Sequence, residues 1–323
     1  MNRPDLLLTR CWPATVEAEL RMRYAVSVDP EDRKLSREAL CAAMLRYDVL
    51  CPTSSDRLDA EILTTPGARV RLIANYGAGV DHIELGAARA VGIQVSNTPD
   101  VVTDDTADVA ILLMLMASRR AGEGERELRA GRWSGLRPTH LLGQGLSGKT
   151  LGIVGFGRIG RAVAARGRRG FGMQVGYYSR SRAKPEIEAE LHARWYGSLA
   201  ELAGECDVLS LHCGGGADTF HLIDAALLKC MKRTAILVNT SRGSVVDEAE
   251  LAWALRSEQI AAAGLDVFER EPLVHPALLA LENVVLLPHL GSATIGTRIR
   301  MGLRVAVNID RFFAHQEMPD RVA

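Results

Sequence analysis

The sequence predicts an α/β molecule of two parallel-sheet domains, Rossmann-like and flavodoxin-like, with a cleft between them. Three observations predict it. Apolar runs of strand length alternate with helical stretches along the chain, the pattern of a parallel sheet. A G-x-G-x-x-G loop, Gly155, Gly157 and Gly160, stands between an apolar run and a helical segment. Turn-forming residues at Asn97–Asp100 and at Pro288 punctuate the alternation twice, so the chain crosses between domains twice. The expected domains are residues 1–98 with 289–323, and residues 99–288. Two crossings imply a hinged cleft, and clefts are where such proteins bind ligands.

In order, Leu6–Leu8 reads as the first strand, Val49–Cys51 as a second, Arg71–Asn75 as a third and Gly92–Val95 as a fourth. The third runs into Tyr76-Gly-Ala-Gly79, a loop that can bring bare backbone close to a ligand. Thr106 to Arg120 is helical and apolar nearly all round, which predicts burial on several sides and a second subunit against it. Gly122 to Gly148 is polar, dotted with glycine and short of strands, and reads as an arm. Thr150–Val154 and Gln174–Tyr178 are strands that flank the glycine loop and its helix. Asp207–His212, Thr234–Asn239, Ala261–Asp266 and Val284–Leu287 continue the sheet. Helices are expected over Asp247–Ser257 and from about Ser292 to Phe313.

The glycines carry the first functional reading. Gly155 permits a tight turn, Gly157 lets backbone approach a pyrophosphate, and Gly160 allows close helix–strand packing. The helix beginning at Arg158 and Ile159 then offers free N–H groups and a positive dipole end to phosphate. This predicts a bound dinucleotide. NAD-specific sites place an acid about 20 residues past the loop, on the ribose 2′-OH. Here that position is Ser179, in Tyr178-Ser-Arg-Ser-Arg182, with no acid present. Ser179 can donate to a 2′-phosphate, and Arg180 or Arg182 can pair with it. The expected cofactor is NADPH, with NADH possible.

Composition excludes several classes. The chain has 323 residues with 39 basic and 39 acidic side chains, so no basic field points to nucleic acid or a membrane surface. The longest apolar run, Val109 to Ala117, is short of a membrane span. The six cysteines have neither C-x-x-C nor metal-ligand spacing, no metal is expected, and no signal peptide is visible, so a cytoplasmic setting is expected.

Nicotinamide chemistry on a carbonyl needs an anchor for the substrate, a polariser for the oxygen and a proton donor. Candidates stand just past strand ends, where α/β sheets hold ligands. Arg242 follows one strand, in Asn239-Thr-Ser-Arg-Gly243, and its planar fork suits a carboxylate or a ketone oxygen. His289 follows another, in Pro288-His-Leu-Gly-Ser292. A carboxylate partner would fix its tautomer and stabilise its charged form, and Glu271 can serve, with Glu269 as the rival.

These segments together resemble the D-isomer-specific 2-hydroxyacid dehydrogenases. Gly155-Phe-Gly-Arg-Ile-Gly160, Asn239–Gly243, Asp266–Pro272 and Pro288–Ser292 look like that family's four signatures. Asn75–His82 and Thr98–Thr106 are similar to its N-terminal motifs, and the nearest branch is the glyoxylate/hydroxypyruvate reductases. The resemblance implies that Arg242 binds the substrate's carboxylate and keto oxygen, that His289 is the general acid, and that Glu271 orients it. It implies that the N–H groups of Ala78 and Gly79 hold the carboxylate. It places Asp266 and Ser292 at the nicotinamide end, Thr106 at the phosphate or ribose side, and Thr240 with the cofactor.

The chain departs from the family at three points. Cys213-Gly-Gly-Gly216 replaces a frequent proline, which predicts a looser loop over the cofactor. His140 occupies the arm position where some relatives send a Trp into the neighbouring subunit's site. The acidic ribose ligand is missing. The expected protein is a homodimeric reductase of small 2-keto acids such as glyoxylate and hydroxypyruvate. The alternative enzyme takes a larger acid such as 2-ketogluconate. The non-enzymatic alternative is an NAD(H)-sensing corepressor that recruits peptides.

Overall fold

A computed structural model describes residues 3–323. It divides into two compact units, one running to Val102 and resuming over Ser292–Ala323, the other Thr103–Gly291. The breaks fall at 102 rather than 98 and at 291 rather than 288. The second shift has a local cause. The Asp266 carboxylate accepts the N–H groups of Leu290 and Gly291 at 2.6 and 2.8 Å, and its carbonyl accepts that of His289 at 2.9 Å. His289 is thereby tied to the second unit, not to the first as the expected boundary had it.

The first unit runs β1 (Asp5–Leu8), α1 (Ala14–Arg23), β2 (Ala25–Ser27), α2 (Arg37–Arg46), β3 (Val49–Cys51), α3 (Ala60–Leu63), β4 (Leu72–Ala74), α4 (Leu85–Ala90) and β5 (Gln94–Ser96). The sheet is parallel, in the order β2-β1-β3-β4-β5, the doubly wound order of flavodoxin-like folds. Its central strands are buried on both faces, which is why they read as unbroken apolar runs. β2 escapes the sequence reading because it is a three-residue edge strand and only partly covered.

The second unit opens with α5 (Thr103–Ser118) and α6 (Ala121–Arg129). It continues β6 (Thr150–Val154), α7 (Arg158–Phe171), β7 (Gln174–Tyr178), α8 (Pro185–Leu191), β8 (Ala193–Trp195), α9 (Leu199–Glu205) and β9 (Val208–Leu211). It closes with α10 (Ala225–Cys230), β10 (Ile236–Asn239), α11 (Glu248–Arg256), β11 (Ala262–Leu265), α12 (Pro276–Leu279) and β12 (Val284–Leu286). The chain then returns to the first unit as α13 (Ile295–Phe313). The seven strands are parallel in the order β12-β11-β10-β9-β6-β7-β8. The winding reverses between β6 and β9, and α/β sheets bind ligands at the carboxyl ends beside such a switch point.

Two readings change here. The helix expected to be wrapped by a second subunit is largely covered by its own domain. Ala107, Ala110, Leu113, Met114 and Ala117 of α5 lie in a core shared with β10, β11 and α7. At Gly264 of β11 an added Cβ would come 2.8 Å from Leu113 Cβ, so the helix rests directly on the strand. Leu112, 45% exposed, is the apolar residue left on its outer side. The first third of the arm is helical, as α6, with Arg129 paired to Glu125 and Arg126 to Glu282. Gly122 and Gly124, poor helix formers, mask that helix in the sequence.

Candidate active site

The glycine loop joins β6 to α7. Gly155 has φ +89°, and a Cβ there would stand 2.6 Å from the Cys213 nitrogen. Backbone sterics and the neighbouring strand end both demand glycine. At Gly160 a Cβ would overlap the Gly155 carbonyl. Gly157 differs: its φ of −77° suits any residue, and a Cβ there would meet no protein atom within 4 Å. The protein itself has room for a side chain at 157, so the bare backbone leaves space for something outside the protein. Behind it, α7 begins with Gly157 as its N-cap residue, without a side-chain cap, and with its first-turn N–H groups toward the loop. Arg158 is exposed and Ile159 is half-buried against the Phe156 core. These features fit a dinucleotide pyrophosphate.

Beyond β7, the Ser179 hydroxyl donates to the Ser181 carbonyl at 2.6 Å. Arg180 is 88% exposed and 3.5 Å from Asp218. Arg182 is placed otherwise. Its fork grips Glu188 through two 2.9 Å hydrogen bonds and lies over the Trp195 ring. Arg182, and then the Tyr177 hydroxyl, hold the Glu188 carboxyl at about 2. Arg182 therefore braces α8, and Ser179 and Arg180 are left as the candidates for a phosphate.

Arg242 is presented by a turn that Asn239 builds. The Asn239 amide donates to the Arg242 carbonyl at 2.9 Å, and its oxygen accepts the Ser241 N–H and hydroxyl at 2.9 and 2.8 Å. The Arg242 guanidinium donates to the Ser241 carbonyl at 2.8 Å. His289 has φ +55°, a left-handed conformation uncommon outside glycine, held by the Asp266 bonds described above. Its Nδ1 lies 2.8 Å from Glu271 Oε2, while Glu271 Oε1 accepts the Phe268 N–H at 3.0 Å. Burial alone would raise the Glu271 carboxyl. The His289 hydrogen bond and charge, the Phe268 N–H and the Arg242 charge outweigh it and hold the group below its usual range. The rival, Glu269, stands apart, 3.4 Å from His221 Nε2. The ring's Nδ1 faces the carboxylate, and Nε2 points away from it.

The remaining candidates fall as follows. The Thr106 hydroxyl donates to the Gly291 carbonyl at 3.0 Å, so it also secures the His289 turn. The Thr240 hydroxyl is buried without a partner among the described residues. Asp266 is buried, and burial pushes its carboxyl up. Cys213 is half-buried beside Gly155, its thiol pushed up to about 11 by burial. His140 Nε2 is 2.8 Å from Glu127, within the arm of its own chain. In the first unit, Ser292 opens the returning segment and its carbonyl accepts the Thr294 N–H at 2.9 Å.

The Asn75–Gly79 loop belongs to the first unit. The fully buried Asn75 amide donates to the Gly77 and Gly79 carbonyls, each at 2.9 Å, and Asn97 donates to the Ala78 carbonyl at 2.7 Å. With all three carbonyls engaged on one side, the Ala78 and Gly79 N–H groups form no hydrogen bond with the described backbone.

Sequence reasoning missed the residues that hold this machinery. Asn75 and Asn239 are turn builders, signalled by an Asn at a strand end beside glycine. Glu248 is 5% exposed and accepts the Glu269 N–H at 2.8 Å, yet in the sequence it reads as an ordinary first-turn acid after the Asp247 cap.

Known proteins share this sequence pattern and fold. Residues 111–291 match the family model "D-isomer specific 2-hydroxyacid dehydrogenase, NAD binding domain". The glyoxylate reductase of Thermococcus onnurineus is 44% identical over 96% of this chain and 93% of its own. A crystal structure of a glyoxylate reductase from Paecilomyes thermophila has a TM-score of 0.88 and 35% identity, covering 100% of this chain and 99% of that one. The NADPH-dependent glyoxylate/hydroxypyruvate reductase of Sinorhizobium meliloti, in complex with NADP and malonate, gives 0.86 and 34%, covering 100% and 97%. The chain belongs to the D-isomer specific 2-hydroxyacid dehydrogenase family.

Proposed function

We propose that this enzyme reduces small 2-keto acids, glyoxylate and hydroxypyruvate first among them, to 2-hydroxy acids, with NADPH preferred over NADH. Family membership makes it an NAD(P)-dependent oxidoreductase. The observation that carries the mechanism is the 2.8 Å pairing of His289 with Glu271 on a chain that also presents Arg242 at a strand end. When bound, the nicotinamide supplies the hydride that reduces the carbonyl carbon. Negative charge then builds on the carbonyl oxygen, and Arg242 stabilises it. His289 gives its Nε2 proton to that oxygen, and Glu271 stabilises the ring while it is charged. The Ala78 and Gly79 N–H groups receive the substrate carboxylate, a role supported by the engaged carbonyls of their own loop. Thr106, Thr240, Asp266, Cys213 and Ser292 border the cofactor in this reading.

NADPH preference rests on the absence of an acid at Ser179 and on the exposed Arg180. The Sinorhizobium meliloti relative is named NADPH-dependent, which supports the same reading. Comparing kcat/KM for glyoxylate with each cofactor, in wild type and in Ser179→Asp and Arg180→Ala variants, tests it. Both variants should lose the preference, and equal use of NADH by the wild type removes it.

The enzyme acts as a homodimer that joins through the outer side of α5 and the arm. Leu112, Leu128, Trp133, Leu136 and Leu142 are all exposed in this one region, Leu136 at 95%. His140 then reaches the neighbouring copy's substrate once the arm docks. No described helix is long and apolar enough to cross a membrane, and all six cysteines are free thiols, which suits a cytoplasmic setting.

A further inference from the structure

Glu248 is a buried acid that the mechanism above does not use. It occupies the first position of α11, behind the Asp247 cap, whose carboxylate accepts the Ala249 and Glu250 N–H groups. A surface acid there would gain the helix dipole at no desolvation cost. Glu248 instead turns inward and is 5% exposed. Its Oε1 accepts the Glu269 N–H at 2.8 Å, and His275 lies close enough to offset part of the burial that pushes the carboxyl up. One side chain thus anchors the first residue of the loop Glu269–His275, whose last residue lies near it. Between those ends the described backbone forms one hydrogen bond of its own, Leu273 N–H to Arg270 O at 2.9 Å. Glu271 sits inside this loop.

The loop also meets the segment that carries Arg242. A Cβ on Gly243 would overlap the Phe268–Glu269 peptide, so the two backbones are in direct contact just before Glu248 takes the Glu269 N–H. The Glu269 side chain turns outward to His221, which also lies 3.3 Å from Asp247. Without Glu248, the Glu269 N–H at the start of the loop loses its acceptor, and a buried unpaired donor is costly. The loop would relax toward solvent and carry Glu271 away from His289.

We propose that Glu248 is a positioning residue for the reaction: its buried carboxylate anchors the loop Glu269–His275 at Glu269 and thereby holds Glu271 on His289. The inference rests on the catalytic reading of His289 and Glu271 given above. It assigns a function to an acid that in sequence looks like helix decoration.

The test uses Glu248→Ala, Glu248→Asp and Glu248→Gln, each alone and combined with Glu271→Gln. The readouts are kcat and KM for glyoxylate, NADPH affinity by fluorescence, the pH profile and Tm. Glu248→Gln keeps an amide oxygen at the same reach and should stay within about threefold of wild type, as expected where hydrogen-bond acceptance rather than charge is needed. Glu248→Ala and Glu248→Asp should lose about ten- to a hundredfold in kcat, the scale at which a displaced catalytic group costs rate. NADPH affinity should not change, and the high-pH decline of the reduction rate should begin at lower pH. On the Glu271→Gln background the same changes should cost nothing further, because the group being positioned is gone. A wild-type kcat in Glu248→Ala, or a loss that multiplies undiminished with Glu271→Gln, overturns the proposal. If Glu248→Ala does not fold, the Asp and Gln variants decide it, and equal rates in those two overturn it. A harmless Glu271→Gln would instead overturn the catalytic reading itself, which keeps the two failures distinct.

Discussion

At the scale of single residues, the proposed mechanism rests on how one imidazole is held. His289 takes a left-handed backbone because Asp266 binds the turn around it, and its ring meets Glu271 at 2.8 Å. His289→Ala should lower kcat by about 10²–10⁴-fold, the usual cost of removing a general acid. Arg242→Ala should lower kcat and kcat/KM together, because its charge matters most in the transition state. Both variants should bind NADPH as the wild type does, which equilibrium fluorescence checks. Glu271 adds a pH dependence whose sign follows from its depressed carboxyl. A group that ionises more readily when folded stabilises the fold above its unfolded value, about 4.3 for Glu, and loses that contribution as pH falls through the folded value. The Tm of Glu271→Gln should therefore fall less steeply than wild type between neutral and acidic pH, and parallel curves contradict this. Arg242 and His289 stood out as candidates in the sequence because each lies three residues past a strand end, and Glu271 because it directly precedes Pro272. Asn75 and Asn239 act on groups two to four residues ahead and leave only the weak signal of an Asn at a strand end, while Glu248 leaves none, because folding alone brings the Glu269 N–H, 21 residues away, to its carboxylate.

At the scale of elements, the glycine loop separates fold from function. Gly157→Ala meets no protein atom and keeps an ordinary φ, so its Tm should stay near wild type while NADPH affinity falls more than tenfold, about 1.4 kcal/mol. Gly155→Ala should lose stability as well, because its φ of +89° and the Cys213 backbone both oppose a side chain. Calorimetry beside a binding titration separates the two, and unchanged NADPH affinity in Gly157→Ala contradicts the pyrophosphate reading. The buried strands β3, β4, β6, β9, β10 and β11 were readable because both faces are covered, which leaves a continuous apolar run. β2 and β8 were not, since they are poorly covered, with Ala25 of β2 and Arg194 and Trp195 of β8 exposed, whereas the equally short edge strands β5 and β12 are mostly buried and were readable. The apolar girth of α5 was read correctly, and the strands β10 and β11 and the helix α7 account for most of it.

At the scale of the molecule, two parallel sheets of known winding order, one of flavodoxin type and one of dinucleotide-binding type, were expected from strand–helix alternation and are present. The proposed dimer belongs to this scale and rests on an exposed apolar surface. Five exposed apolar residues between Leu112 and Leu142 are an uneconomical surface for a monomer. Light scattering at micromolar concentration should give a dimer, and Trp133→Glu with Leu136→Glu should give a monomer. A monomeric wild type contradicts that reading. The most direct test of the central claim is the steady-state reduction of glyoxylate by wild type and by His289→Ala, followed as loss of NADPH absorbance, with NADPH affinity measured on the same preparations. The account predicts turnover by the wild type, a loss of about 10²–10⁴-fold in the variant, and equal cofactor affinity in both. A wild type that binds NADPH without turning over glyoxylate, or a variant that matches its rate, would contradict it.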